Sequence, residues 1–282
     1  MQVSETEDMK SRVERWSGDV GIRPSRSLCP LYKRGTHVPQ LVGTGTMIRV
    51  SKLVLIATAA HVVEDLGHGE CYVGTSQLSP MPARRLVNDL GAAAERRDDR
   101  LDLGCIAFDV NQSAEIGEGE ALLLSDLDLS GRDSPQNGDS YFLSGYPASR
   151  QPRMLLSNGL DAHNFNLLTT ERSPEQYGQA GLDRHLNLFV GYDKDELYYS
   201  EKRSVGPDLD GVSGGAIWRL EGDNSVSYAH PKLSAIATAW RRQSEPHGVI
   251  GTWTILWLQL AARIFPNEFV GALDALARDE TV

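Results

Sequence analysis

Cysteine is scarce in this chain. Three occur among 282 residues, Cys29, Cys71 and Cys105, an odd number at spacings that match no metal-binding pattern. Neither a disulfide framework nor a zinc site is indicated, and no cofactor is expected. Basic charge is also short: 28 Lys and Arg against 38 Asp and Glu leave a formal net charge of −10. A nucleic-acid partner is disfavoured, because there is no cationic excess to displace counterions from phosphates. The dense basic pairs, Arg84-Arg85, Arg96-Arg97 and Arg241-Arg242, read as solvated surface. No run of 18 apolar residues exists, so no membrane span is expected. The acidic start, Met1 to Asp8, lacks the apolar core of a secretory leader, and the cytoplasm is the expected compartment.

Against these absences stands one concentrated feature. Asp210-Gly211-Val212-Ser213-Gly214-Gly215-Ala216-Ile217-Trp218 places three glycines within five residues around a serine. Glycines there let the backbone reach positive φ and bring unpaired N–H groups close to a bound group. A serine hydroxyl is a poor nucleophile alone. It needs a histidine to take its proton, a carboxylate to orient that histidine, and donors for the developing oxyanion.

Two upstream segments offer the partners. Leu55-Ile56-Ala57-Thr58-Ala59-Ala60-His61 is an apolar run ending in a histidine, and Asp102 opens the strand-like run Leu103–Phe108. Asp102 is preferred over Asp98 and Asp99 because it alone leads into an apolar run where a carboxylate can be buried; the other two read as a solvated loop.

These residues resemble the trypsin-like (chymotrypsin-fold) serine peptidases, whose T-A-A-H, D-[LIV]-[AG]-x-[LI] and G-x-S-G-G segments occur here in the family's order. The intervals are 41 residues from His61 to Asp102 and 111 from Asp102 to Ser213, the second longer than usual in the family. Val62 stands where secreted trypsins carry a cysteine, and Gly43-Thr44-Gly45-Thr46 is similar to the strand before the histidine in bacterial members without disulfides. The resemblance implies an all-β fold of two packed six-stranded antiparallel barrels with a C-terminal helix. It implies an extension over 1–40, a first barrel over 41–125 with His61 and Asp102, and a second over 126–282 with Ser213. It also implies a serine endopeptidase acting on protein or peptide substrates, with an oxyanion hole at the amides of Gly211 and Ser213.

For substrate binding the resemblance points to Thr238-Ala239-Trp240 as the strand pairing with the substrate, Trp240 narrowing the pocket mouth. Gly251 would lie in the opposite wall. Asp208 or Pro207 would sit at the pocket base, with Asp210 on an acidic rim; a solvent-facing acidic loop is an equal reading. Val212 replaces the aspartate that receives a freed N-terminal amine in trypsins, so no cleavage of that kind is expected.

Residue patterns supply the rest. Residues 5–16 read as a short helix, the stretch from there to about 40 as a loop-like approach, and 41–50 with 53–58 as a hairpin turning at Ser51-Lys52. Strands are expected near 71–73, 101–108, 140–147, 153–157, 164–170 and 186–192, and two helical pieces over 256–265 and 267–278 are broken at Pro266. The long, charged segment 150–205 reads as loop-rich, and gating by its ordering or by a regulatory protein partner is expected. Two rival readings stay open. Gly211-Val212-Ser213-Gly214-Gly215 also fits the nucleophile elbow of α/β-hydrolases, with Asp223 and His230 or His247 downstream. A catalytically idle binding module or scaffold is the other.

Overall fold

Residues 40–59 combine β-branched and small side chains with one polar break, and they fold as the hairpin that pattern predicts. The computed structural model describes residues 25–35, 39–67, 71–73, 79–81, 84–88, 95–108, 121–129, 140–150, 163–195, 197–199, 202–220 and 231–270. Strand β1 (Leu28–Lys33) precedes the hairpin strands β2 (Gln40–Val50) and β3 (Leu53–Ala59), which pair Val50 with Leu53 around Ser51 at φ +54°. Helix α1 (Ala60–Leu66) continues directly from β3. The short strands β4 (Cys71–Val73), β5 (Ser79–Met81) and β6 (Arg84–Val87) and the longer β7 (Leu103–Phe108) complete a seven-stranded antiparallel sheet in the order β5-β4-β1-β2-β3-β7-β6.

The second sheet has six strands. They are β8 (Ser140–Gly145), β9 (Phe165–Thr170), β10 (Asn187–Gly191), and, after a separate hairpin of β11 (Leu197–Tyr199) and β12 (Lys202–Ser204), β13 (Ala216–Leu220), β14 (Lys232–Arg241) and β15 (Gly248–Trp253). Their order is β10-β15-β14-β13-β8-β9, and a bridge between Glu171 and Val190 links the two edge strands. Helix α2 (Pro174–Ala180) lies between β9 and β10, and α3 (Thr254–Ile264) follows β15.

The solid apolar run of β3 is explained by burial on both faces. Alternate side chains of a strand point to opposite sides. Val54 and Ile56 pack with Leu31, Met47, Val62 and Phe108 inside the first sheet, whereas Leu55 and Ala57 join Trp218, Leu233, Ile236 and Trp257 between the sheets. A third cluster, Leu143, Leu188, Val190, Ile217, Ala235 and Val249 among others, fills the second sheet. Each such side chain contributes about 1.5–3 kcal/mol on burial. The Trp257 indole of α3 also donates to the Gly104 carbonyl at 3.1 Å, fastening the C-terminal helix to β7.

Four sequence expectations change. The first sheet has seven strands and not six, because β1, placed in the loop-like approach, pairs with both β2 and β4. Segment 163–195 holds the two expected strands as β9 and β10, with a helix, α2, where only loop was expected between them. Helix α2 is signalled by Ser173-Pro174-Glu175-Gln176, where proline opens the first turn and the Gln176 amide oxygen accepts the Ser173 N–H at 3.0 Å. Pro266 starts the second helical piece, helical over 266–270, as well as ending the first. The strand expected at 153–157, the helix at 5–16 and residues 271–278 lie outside the described residues, as does Asp223 with His230. Among the described residues no helix is long and apolar enough to cross a membrane.

Candidate active site

The end of β3 delivers His61 to the first turn of α1, and pairing of Ala59 with Leu103 brings Asp102 alongside. The Asp102 carbonyl accepts the Ala60 N–H at 2.9 Å, and its carboxylate takes two bonds from His61. Oδ1 accepts the His61 backbone N–H at 3.0 Å, and Oδ2 lies 2.6 Å from Nδ1. Both oxygens are therefore committed to one residue, which fixes the ring and its tautomer with Nε2 left over. Asp102 adopts φ +44°, an uncommon conformation for a residue with a side chain. Its side chain is 12% exposed and that of His61 38%. Burial alone would lower the imidazole pKa; the Asp102 hydrogen bond and charge, helped by Asp65 and Glu64, outweigh it and hold the pKa above its ordinary value.

Ser213 occupies a loop whose glycines do what the sequence requires of them. Gly211 has φ +92° and Gly214 φ +87°. A side chain at Gly214 would collide with the Thr44 carbonyl and the Thr58 hydroxyl, so the loop lies directly on β2 and β3. Three threonines of those strands hold it. The Thr44 amide donates to the Ser213 carbonyl at 2.8 Å, the Thr44 hydroxyl to the Gly211 carbonyl at 2.8 Å, and the Thr46 hydroxyl to the Gly214 carbonyl at 3.1 Å. Thr58 supports Thr44 by donating to its carbonyl at 2.7 Å.

With the carbonyls so anchored, the amides of the loop divide into two sets. Those of Val212, Gly214 and Gly215 donate to Leu209, Ala237 and Val212 carbonyls at 2.9, 2.6 and 2.8 Å. Those of Gly211 and Ser213 donate to no acceptor among the described residues. Two N–H groups of the loop are thus left without a protein partner there. Val212 itself is buried against Gly145. The Ser213 hydroxyl donates to the Thr238 carbonyl at 3.5 Å, a long bond, and makes none to His61. The fold thus joins His61 to Asp102 directly, and sets Ser213 on the neighbouring loop: a Cβ at Gly43 would touch Val62 at 2.6 Å and the Ser213 carbonyl at 3.0 Å.

Of the residues expected around the substrate, Trp240, Pro207 and Asp208 gather around Tyr192 and Arg242. Thr238 is buried beside Ser213, its hydroxyl donating to the Ile250 carbonyl at 3.3 Å, while Ala239 is exposed. Half-buried Trp240 packs edge-on to Tyr192 at 5.9 Å, with the Arg242 guanidinium 5.4 Å from its ring centre. Asp208 is not a free pocket acid. It pairs with Lys194 at 2.9 Å and more loosely with Arg242 at 3.9 Å, and the Lys194 hydrogen bond holds its carboxyl below the usual range. The Pro207 carbonyl accepts the Tyr192 hydroxyl at 2.6 Å, and Asp210 is exposed, its carbonyl taking the Ala148 amide at 2.6 Å. Gly251 pairs with Ala237 on β14, and a side chain there would meet Ile217 at 2.7 Å and Ala235 at 3.0 Å.

Several of these partners are hard to see in the sequence. Thr44, Thr46 and Thr58 belong to the family-like segments, but nothing in the sequence shows that the Thr44 and Thr46 hydroxyls hold the loop or that Thr58 supports Thr44. Asp99 and Arg96 read as solvated surface, yet their side chains are 6% and 13% exposed and paired at 2.7 Å; Asp98 is exposed as expected. Among the described residues no cluster of three or more His, Cys, Asp or Glu is arranged to hold a metal, and Cys29 and Cys105 are buried, with burial pushing the Cys105 thiol up to about 12.

With its two antiparallel sheets and C-terminal helix, the chain has the chymotrypsin-like fold. It is similar to the structure of neuropsin, a serine protease expressed in the limbic system of mouse brain, with a TM-score of 0.54 at 12% identity over 86% of this chain and 96% of that one. It is similar also to the scabies mite inactivated protease paralogue S-I1, with a TM-score of 0.52 at 12% identity over 87% of this chain and 96% of that one. No sequence-family model matches the chain, and no curated protein sequence does. The strand β13 directly after Ser213, in an antiparallel sheet, replaces the helix that an α/β-hydrolase elbow requires and excludes that fold.

Proposed function

We propose that this protein is a serine endopeptidase that cleaves peptide bonds through a covalent acyl-enzyme. Ser213 Oγ attacks the carbonyl carbon while its proton passes to His61 Nε2. Asp102 stabilises the imidazolium, and the Gly211 and Ser213 amides receive the oxyanion. Collapse breaks the C–N bond, and the leaving amine takes the proton from His61. Water then enters, gives a proton to His61 and releases the acid product, returning the proton to Ser213. Rotation about the single Cα–Cβ torsion of Ser213 frees its hydroxyl from Thr238 for the first step.

One observation carries this reading: His61 is doubly held by the buried Asp102 carboxylate, and the loop of Ser213, anchored on the strands leading to that histidine, leaves the Gly211 and Ser213 amides without an acceptor among the described residues. Chymotrypsin-fold structures at 12% identity support the architecture. A fluorophosphonate probe tests the chemistry. Covalent labelling at Ser213 that vanishes in His61→Ala is expected; folded protein that takes no label supports the scaffold reading instead. That second reading draws on the Ser213–Thr238 bond and on the likeness to an inactivated paralogue. Protein or peptide chains are the proposed substrates, with a regulatory partner gating access in the cytoplasm.

A further inference from the structure

Asp99 has no part in the catalytic cycle just described, yet its side chain is 6% exposed with both carboxylate oxygens hydrogen-bonded. Its Oδ2 accepts from Arg96 Nη1 at 2.7 Å, Asn88 Nδ2 at 2.9 Å and the Asp102 amide at 3.1 Å, and its Oδ1 from the Leu101 amide at 3.0 Å. Asn88 holds the next peptide unit: its Oδ1 accepts the Leu103 amide at 2.8 Å, and its own amide donates to the Leu103 carbonyl at 3.0 Å. With the Ala60 amide on the Asp102 carbonyl, the backbone is gripped on both sides of the residue at φ +44°. An unfavourable φ persists only where the surroundings over-determine it.

Arg96 carries the network on to the histidine. Its Nε and Nη2 reach Glu64 Oε1 at 2.9 and 2.8 Å, three residues after His61 on α1. One guanidinium therefore ties the helix bearing the imidazole to the turn bearing the carboxylate. A simple surface turn needs no such arrangement: a mobile loop would leave Asp102 free to lose one of its two His61 contacts.

We infer that Asp99, backed by Arg96 and Asn88, is a positioning residue for the reaction, fixing the Asp102 backbone so that both carboxylate oxygens meet His61. This rests on the peptidase reading for its kinetic consequence and on geometry alone for its effect on the imidazole.

The test uses the full chain. Asp99→Ala lowers kcat by roughly 10- to 100-fold with KM nearly unchanged, the scale of a misplaced catalytic group. Histidine-labelled NMR shows the His61 titration falling toward its ordinary value, while Asp65 and Glu64, the other carboxylates that raise it, stay in place. In an Asp102→Asn background, Asp99→Ala removes no more than about twofold further, since groups acting through one another are not additive. Equal losses in both backgrounds, or an unmoved His61 titration in folded variant, overturn the inference. Where Asp99→Ala fails to fold, Asp99→Asn, nearly isosteric but with an amide facing the Asp102 N–H, carries the same readouts. A wild-type chain that hydrolyses nothing sinks the peptidase reading, and the His61 titration then decides the positioning role alone.

Discussion

The hydroxyl of Thr44 donates to the carbonyl of Gly211 at 2.8 Å, across 167 positions of sequence, while accepting the amide of Tyr146 at 2.9 Å. One small side chain thus joins a strand of the first sheet, the residue after β8 and the loop that carries Ser213. Replacing it by the near-isosteric valine keeps the shape and removes both bonds. Thr44→Val is expected to lower stability by about 1–3 kcal/mol, the cost of stranding buried polar groups, and to slow labelling of Ser213 more than that loss explains. Denaturant melts and probe kinetics on the same preparation separate the two effects.

The raised pKa of His61 makes opposite demands on activity and stability. Attack needs the neutral imidazole, so kcat/KM is expected to fall as pH drops through a value above the ordinary ~6.5 of histidine. Stability runs the other way: the extra affinity of the folded state for the proton is fully present below the unfolded pKa and is lost as pH rises through the folded one. Asp102→Asn should move the acid limb downward and cut turnover by about 10⁴-fold through the wrong tautomer. A pH–rate profile with an unmoved acid limb in that variant would show that the ring draws nothing from Asp102.

Two glycines give a contrast in stability. Gly214, at φ +87° against Thr44 and Thr58, has no room for a methyl group, and Gly214→Ala should fold poorly or lose activity outright. Gly178, exposed within α2 with nothing near its missing Cβ, should accept alanine with a gain of about 0.5–1 kcal/mol. Thermal unfolding of the pair checks both signs.

Val212 is buried at 2% exposure where a trypsin-like enzyme would place an amine-binding aspartate. Apolar packing against Gly145 and the Val212 N–H bond to Leu209 set the loop without an amine. Adding a short tag ahead of Met1 is therefore expected to leave the labelling rate of Ser213 unchanged. A rate restored only after the tag is cut off would contradict this.

How far the sequence can be read depends on whether a signal is local. Hairpin 40–59, β7 and α3 announce themselves through pattern and turn residues, His61 through the apolar run it ends and Asp102 through the one it opens. Strand β1 escapes notice because Pro30 and the Arg-rich flank resemble a loop; its pairing with β2 and β4 is a tertiary fact. Asp99 and Arg96 are hidden for the same reason, since a charged cluster looks alike whether water or Asn88 answers it. Gly251 carries a recognisable motif, but its close packing against Ile217 and Ala235 is set by neighbouring strands far away in sequence. Asp208 shows the converse, an acid whose partner Lys194 lies 14 residues earlier on a different loop.

Acylation of Ser213 is the event on which the proposed chemistry turns. Mixing the intact chain with an activated ester and following product release in the first turnover, with mass analysis of the protein, tests it most directly. A burst of one equivalent per chain and an acyl group on Ser213 are predicted, both absent in Ser213→Ala and strongly slowed in His61→Ala. Steady release with no burst from folded protein, or an acyl group found on another residue, would contradict it.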